Sequence, residues 1–159
     1  MSARLVIEWT RTAVRIAVAK GGRWRLQLLD VRSEPVSATV DAVAALRTLL
    51  KTVNVTVNQV IGVVPREQVI TRVVQFPTIQ AAELTQMIEL YAKAQLPYPR
   101  EQTVVDFHLV RSQEGFSTVA IVACQREVVD RHLAVLREAG LHVGLVTVSS
   151  WGVLRWYTQ

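Results

Sequence analysis

The fold of this 159-residue chain is limited most by a short apolar run, Val60-Ile61-Gly62-Val63-Val64. Pro65 closes the run, because proline has no backbone N–H with which to continue a strand ladder. A strand that is apolar at nearly every position is typical of a sheet covered on both faces, as in α/β proteins. The sequence therefore predicts an α/β fold with a buried strand at 58–64.

Three strands and a helix are predicted before this run. The strands are placed at 4–9, 12–19 and 23–32. Lys20-Gly21-Gly22 is typical of a hairpin turn and predicts one between the second and third strands. In the second strand, apolar residues alternate with other residues, which indicates one buried face. The helix runs from Asp41 to about Asn54, because its apolar residues recur every three or four positions. Thr39 or Asp41 is its predicted cap.

The pattern changes at Gln68, from which a compact α+β segment is predicted. Its elements are a strand ending at Phe76, a helix at 80–95, strands at 103–111 and 117–124 joined by a four-residue loop at 112–115, and a helix at 126–139. The apolar stripe of the first helix is predicted to be core, and Pro97 prevents that helix from continuing past Leu96. A last strand at 142–149 and a helix from Ser149 or Ser150 to Tyr157 follow. Since that helix reaches Gln159 without a terminator, we expect a shortened form of a longer protein.

Charge, cysteine content and hydropathy limit the class of function. The net charge is +5, but the arginines are scattered and form neither a basic helix stripe nor an RNA-binding signature, so we expect solvated faces and no nucleic-acid partner. The single cysteine, Cys124, excludes an internal disulfide and suits a reducing cytoplasm. No stretch approaches the ~18 apolar residues of a membrane span, so we expect a cytoplasmic protein that reaches a membrane only through a partner.

No constellation of catalytic or metal-binding residues is evident. His108, His132 and His142 lie on separate predicted elements, and each is expected to be structural or exposed. Glu101 and Asp106 are near in sequence but do not have the spacing of an acid–base pair, and Cys124 has no partner. The sequence therefore predicts a protein that is not an enzyme and holds no metal.

A series of short motifs carries a resemblance to a known family. The motifs are Val63-Val64-Pro65, Phe76-Pro77, Leu96-Pro97-Tyr98-Pro99, Val105-Asp106-Phe107, Ala139-Gly140-Leu141 and Val148. In this order they resemble the first half of the type IV pilus assembly protein PilM family of the actin-like superfamily, and more distantly FtsA and the cytoplasmic domain of GspL. The resemblance implies an actin-like (ribonuclease H-like) subdomain 1A at 1–66 plus 141–159, and an inserted small α+β subdomain 1C at 67–140.

The chain departs from that family at the first phosphate loop. The family carries Asp-x-Gly-Ser/Thr after its first strand, whereas the corresponding residues here are Glu8, Trp9, Thr10, Arg11 and Thr12. Tryptophan in place of glycine obstructs the approach of the backbone to a phosphate. The second lobe, which completes the nucleotide site in the family, is not part of these 159 residues. We therefore expect no cofactor, and ATP with Mg²⁺ only in a longer protein.

The resemblance implies a non-catalytic cytoplasmic adaptor of type IV pilus biogenesis. Its partner would be the N-terminal cytoplasmic tail of the inner-membrane protein PilN, docked in a groove between 1A and 1C. The predicted walls of that groove are Val64, Pro65, Phe76, Pro77, Leu96, Pro97 and Tyr98, with Asp106 as a polar anchor. The alternatives are a GspL-like type II secretion component and an ATP-binding actin-like protein. Self-association through Trp151 and Trp156 is a further expectation.

Overall fold

The computed structural model describes residues 3–22, 25–37 and 39–151. Within them the elements are β1 (Ala3–Trp9), β2 (Ala13–Gly22), β3 (Arg25–Pro35), α1 (Thr39–Leu50), β4 (Val57–Val64), β5 (Ile70–Phe76), α2 (Ala81–Gln95), β6 (Thr103–Gln113), β7 (Phe116–Gln125), α3 (Arg126–Glu138) and β8 (Leu145–Val148). Short 3₁₀ turns at Arg66–Gln68 and Arg100–Gln102 precede β5 and β6. The predicted order of strands and helices is confirmed over the described residues.

The chain divides into two compact units. The first unit holds the described residues up to Glu67 and those from Asp130 onward, and the second unit is Gln68–Val129. The division into a subdomain 1A and an inserted subdomain 1C at 67–140 stays a prediction. Most of α3 belongs to the first unit, because its Val135 and Leu136 are buried in the core of that unit.

The first unit is built on a mixed five-stranded sheet with the order β3-β2-β1-β4-β8. The meander β1-β2-β3 is antiparallel, whereas β4 pairs in parallel with both β1 and β8. The apolar run at 60–64 therefore lies in an interior strand, as its composition predicts. The core contains residues of β1 and β2 with residues of α1 and α3, including Leu5, Ile7, Val14, Ile16, Val18, Ala42, Leu46, Leu49, Val135 and Leu136.

Gly62 in β4 allows a helix to pack closely on the sheet. A Cβ atom at this position would lie 3.0 Å from Cδ1 of Leu136 in α3, which is too close for carbon atoms without a shift. Glycine inside a strand often marks such a close approach. The one glycine of the apolar run thus leaves room for the Leu136 side chain.

The second unit is an antiparallel three-stranded sheet, in the order β5-β7-β6, with α2 packed on it. Its core joins Leu84 and Ile88 of α2 to Phe76 of β5 and to Val119 and Ile121 of β7. Met87 and Tyr91 pack against this cluster, so the predicted core stripe of α2 is confirmed. The buried members of this core come from α2, β5 and β7, whereas β6 contributes the partly buried Phe107.

Two hairpins differ from their predictions. The loop between β6 and β7 contains only Glu114 and Gly115, with φ values of 55° and 81°, so the predicted four-residue loop at 112–115 was wrong. Positive φ at both central positions is the type I′ arrangement, whose twist matches that of the flanking strands and lets them continue to the turn. Lys20-Gly21-Gly22 belongs to β2 and is not the turn itself, and residues 23 and 24 lie outside the described residues.

Three element ends also differ. Helix α1 begins at Thr39 and ends at Leu50, earlier than the predicted end near Asn54. Strand β8 begins at Leu145, where parallel pairing with Ile61 starts, and not at 142. The helix predicted from Ser149 or Ser150 is helical at 149–151, and the remainder of that prediction lies outside the described residues.

Candidate functional site

The segment after β1, which corresponds to the predicted degenerate phosphate loop, is closed by the side chain of Thr10. The Thr10 hydroxyl donates to the carbonyl of Ala13 at 3.1 Å and accepts from the amides of Thr12 and Ala13 at 3.3 and 3.1 Å. The Thr10 amide also donates to the Ala13 carbonyl at 2.9 Å. Thr10 is itself buried, while Arg11 and Thr12 are exposed. The amides of Thr10, Thr12 and Ala13 are therefore already bonded within the turn.

The residues on either side of Thr10 are held by other parts of the first unit. Glu8 forms an ion pair with Arg15, its directly opposite residue on β2, at 2.8 Å. The Trp9 indole lies against the His132 ring with centroids 5.0 Å apart, and the Trp9 carbonyl is 3.2 Å from His132 Nε2. His132 itself is buried.

This arrangement is suited to a structural turn. A phosphate cradle needs several backbone N–H groups that point at the ligand without an internal partner. Here the amides at 12 and 13 bind the Thr10 hydroxyl, and the one acid, Glu8, is paired with a cation. No residue from Trp9 to Thr12 has a positive φ, so the turn does not need the glycine that it lacks.

A cavity of about 610 Å³ lies in the second unit, between α2 and the start of β6. Its apolar wall comes from Ile88, Ala92, Leu96, Tyr98, Val104, Val105 and Phe107. The cavity lies beside the core that α2 forms with β5 and β7, and Ile88 and Phe107 belong to both. We call this cavity with its lining residues the α2–β6 cleft. Its size is within the range of sites that take a small ligand or a few side chains of a peptide.

Charged residues form the rim of the α2–β6 cleft. The rim carries Glu89, Lys93, Arg100, Glu101 and Arg126. Arg100 pairs with Glu89 at 3.5 Å, and Arg126 Nε donates to the Glu101 carbonyl at 3.3 Å. Three cations against two carboxylates give this rim a small positive excess.

The predicted groove residues fall into two groups by exposure. Val64, Pro65 and Phe76 are buried, and Phe76 belongs to the core of the second unit. Leu96 and Tyr98 are half-buried and both line the α2–β6 cleft. The exposed members are Pro77, Pro97 and Asp106. The structure thus brings two of the predicted residues together in one cleft, and a groove between the two units stays a prediction.

Two apolar residues of β6 were missed as candidates for this site. Val105 and Phe107 line the α2–β6 cleft, and their spacing of two places both on the same face of β6. That alternation was visible in the sequence. The cleft itself was not visible in the sequence, because its position depends on how α2 packs on the strands.

Asp106 has a local role on the same strand. Its carboxylate accepts a hydrogen bond from the backbone N–H of Phe107 at 2.8 Å. Because β6 is at the edge of its sheet, this amide is not bonded to a neighbouring strand on that side. A charged side chain on an edge strand is a common protection against unwanted strand pairing.

The remaining reactive groups lie on separate parts of the chain. Cys124 is buried in β7, and burial raises the pKa of its thiol. His108 and His142 are exposed. Within 3–22, 25–37 and 39–151, no three His, Cys, Asp or Glu side chains meet in a way that could hold a metal ion. Trp151 is half-buried, and Trp156 lies outside the described residues.

Comparison with known proteins decides the family. The family profile described as type IV pilus assembly protein PilM matches residues 24–159. The chain belongs to the PilM family. Among solved structures it is similar to one titled "PilM-PilN type IV pilus biogenesis complex", with a TM-score of 0.80 and 22% identity over 96% of this chain and 49% of that chain.

Two further structures share the fold. One is the cytoplasmic domain of EpsL, an inner-membrane component of the type II secretion system of Vibrio cholerae, with a TM-score of 0.62 and 16% identity over 92% of this chain and 57% of that chain. The other is a protein of Bacteroides thetaiotaomicron with an actin-like ATPase fold, with a TM-score of 0.51 and 12% identity over 98% of this chain and 55% of that chain. The predicted actin-like fold is confirmed, and the chain spans about half the length of these structures.

In the part of this PilM-family chain that the structure describes, no helix combines the length and apolar character needed to cross a membrane.

Proposed function

We propose that this PilM-family chain is a non-catalytic adaptor of type IV pilus biogenesis. It binds the N-terminal cytoplasmic tail of an inner-membrane PilN-like protein, and this partner holds it at the cytoplasmic face of the inner membrane. The observation that carries the proposal is the α2–β6 cleft, an apolar, preformed cavity with Leu96 and Tyr98 in its wall, in a chain of the PilM family. The similar PilM structure is a complex with PilN.

The cleft has the properties of a peptide site. Its floor is apolar and its rim is charged, so it offers both buried area for side chains and polar groups for orientation. Tyr98 follows Pro97 and precedes Pro99, and proline on both sides restricts the backbone that positions the ring. A wall that is already rigid lowers the entropy cost of binding a flexible tail.

The turn at Thr10 supports the non-catalytic part of the proposal. Its amides at 12 and 13 bind the Thr10 hydroxyl, and Glu8 is paired with Arg15, so an incoming phosphate would have to displace these bonds. Saturable binding of ATP with Mg²⁺ at millimolar concentration would contradict this part.

A GspL-like role in type II secretion rests on fold similarity alone, at 16% identity.

The test is a fluorescence-anisotropy titration of the protein with a labelled peptide from the N-terminus of the PilN-like protein of the same organism. We expect saturable binding that Tyr98→Ala weakens about tenfold or more, because a buried aromatic contact is worth more than ~1.4 kcal/mol. Leu90→Ala is the matched control, since Leu90 is on α2 but exposed outside the cleft. Equal affinity of both variants and the unmodified protein would remove the cleft from the proposal, and absence of binding would remove the adaptor function.

A further inference from the structure

We propose that β3 is a self-association edge. It pairs in antiparallel fashion with β3 of a second copy of this chain, around a two-fold axis at Val31, so that two five-stranded sheets continue as one. This interface goes beyond the adaptor function and uses no residue of the α2–β6 cleft. The order of charges along β3 selects a second copy as the occupant of this edge.

Strand β3 forms one edge of the sheet of the first unit. In the order β3-β2-β1-β4-β8 its neighbour among the described strands is β2, on one side. It contains 11 residues, whereas β8 at the opposite edge contains 4. Unpaired backbone groups along an edge strand can pair with another strand. The β3 edge is therefore the one with the length for a strand-to-strand interface.

The bond of Val36 shows which backbone groups of β3 face outward. The Val36 N–H donates to the Thr12 carbonyl at 2.9 Å, so residue 36 directs its N–H toward the β2 side. Successive residues of an antiparallel strand direct these groups alternately toward and away from the partner strand. The shift in register with β2 lies earlier in β3, so the N–H groups of Val31 and Ser33 face away from β2. Pro35 has the same outward orientation and carries no N–H, which is typical of the free side of an edge strand.

Three large apolar side chains of β3 are uncovered. Leu26, Leu28 and Val31 are 63%, 61% and 60% exposed. Each lies opposite a residue of β2 that is on the other face from the core residues Ile16 and Val18, so all three share the face of the sheet away from that core. Pairing of two copies joins the three side chains of each copy into one apolar strip. The pair therefore gains hydrophobic contact in addition to backbone hydrogen bonds.

Asp30 and Arg32 make β3 complementary to itself. They flank Val31 and form an ion pair with each other at 2.7 Å. In an antiparallel pair with its axis at Val31, Asp30 lies opposite Arg32 of the second copy, and Arg32 lies opposite Asp30 of that copy. Opposite charges at such positions stabilise strand pairing and like charges destabilise it. A parallel pair in register would place like charges side by side, so charge selects the antiparallel pair of two copies.

The experiment is sedimentation velocity of the unmodified protein and two charge variants over a concentration series. We expect a reversible dimer of the unmodified protein. Asp30→Arg and Arg32→Asp each place like charges opposite each other on both sides of the axis, so each is expected to weaken the dimer about tenfold or more. An equimolar mixture of the two variants is expected to dimerise again, because one copy then offers two cations where the other offers two carboxylates.

The matched control is Arg11→Asp, which makes the same charge change at an exposed position outside β3. We expect it to leave the dimer unchanged. Circular dichroism checks that every variant is folded. Amide hydrogen exchange of the ¹⁵N-labelled protein gives an independent readout, in which the amides of Val31 and Ser33 are expected to exchange several-fold more slowly at high than at low protein concentration. The amides of β8, at the opposite edge, are expected to be unchanged.

Three results would overturn this inference. They are a protein that stays monomeric throughout the series, a dimer that neither charge variant weakens, and a mixture of the two variants that does not dimerise. Each of them would leave the adaptor function standing, because the titration with the tail peptide measures that function separately.

Discussion

At the scale of single residues, the Thr10 hydroxyl occupies the backbone donors that a phosphate would need. The substitution of glycine by Trp9 could be seen in the sequence and predicted the loss of a phosphate loop. That the Thr10 side chain closes the turn could not be predicted from the sequence. A hydroxyl can bond to many local backbone groups, and the fold determines which of them it meets. The contact of Trp9 with His132 could not be predicted either, because the two residues are far apart in the chain.

Thr10→Val tests the structural role of this turn. Valine has the shape of threonine without its hydroxyl, so the amides of Thr12 and Ala13 lose their partner. We expect the free energy of unfolding to fall by about 1–3 kcal/mol, as measured by urea denaturation. Thr12→Val, at an exposed position of the same turn, is the control. Equal stability of the two variants would show that the hydroxyl does not hold the turn.

The thiol of Cys124 gives a prediction about pH. Burial raises its pKa, so the folded protein keeps the thiol protonated to a higher pH than the unfolded chain does. As the pH rises past the ordinary thiol pKa, the unfolded chain loses its proton first and the free energy of unfolding falls. We expect iodoacetamide to alkylate the native protein slowly at pH 8 and the urea-unfolded protein quickly, as followed by mass spectrometry. Similar rates would contradict the burial of this thiol.

At the scale of elements, regular segments were predictable and their junctions were not. The alternation of Val14, Ile16 and Val18 and the apolar run at 60–64 each reflect one strand and its burial, and both predictions are confirmed. The unit to which α3 belongs depends on contacts of Val135 and Leu136 with residues far away in the chain, so the pattern of α3 alone does not determine it. The turn between β6 and β7 was missed because its first residue is Glu114 and not asparagine.

Glu114→Asn tests that explanation of the turn. Glu114 adopts a φ of 55°, which costs an ordinary side chain about 1 kcal/mol or more and asparagine less. We expect the variant to unfold at a higher temperature, by differential scanning calorimetry. Gln113→Asn, at the adjacent strand position, is expected to bring no gain. A loss of stability in Glu114→Asn would contradict the assigned turn type.

At the scale of the whole molecule, the fold and family of this chain could be predicted, while its cleft could not. Short motifs at ordered spacing carried the resemblance to the PilM family, and the family profile matches residues 24–159. Of the predicted groove residues, Leu96 and Tyr98 line the α2–β6 cleft, and Phe76 is part of a core. A sequence motif can mark a turn or an element end, but the packing of α2 over particular strands determines where a cavity remains.

The central claim is that this protein reaches a membrane through a partner's tail, and co-sedimentation with vesicles tests it most directly. The protein is mixed with phosphatidylcholine vesicles that display the lipid-anchored PilN-like tail, with bare phosphatidylcholine vesicles, and with bare vesicles containing anionic phosphatidylglycerol. The last are needed because the net charge of +5 favours nonspecific attraction to anionic lipid. We predict that the protein sediments with the tail-bearing vesicles and that Tyr98→Ala does so much less. Equal sedimentation with bare vesicles, or none with the tail-bearing vesicles, would contradict the account.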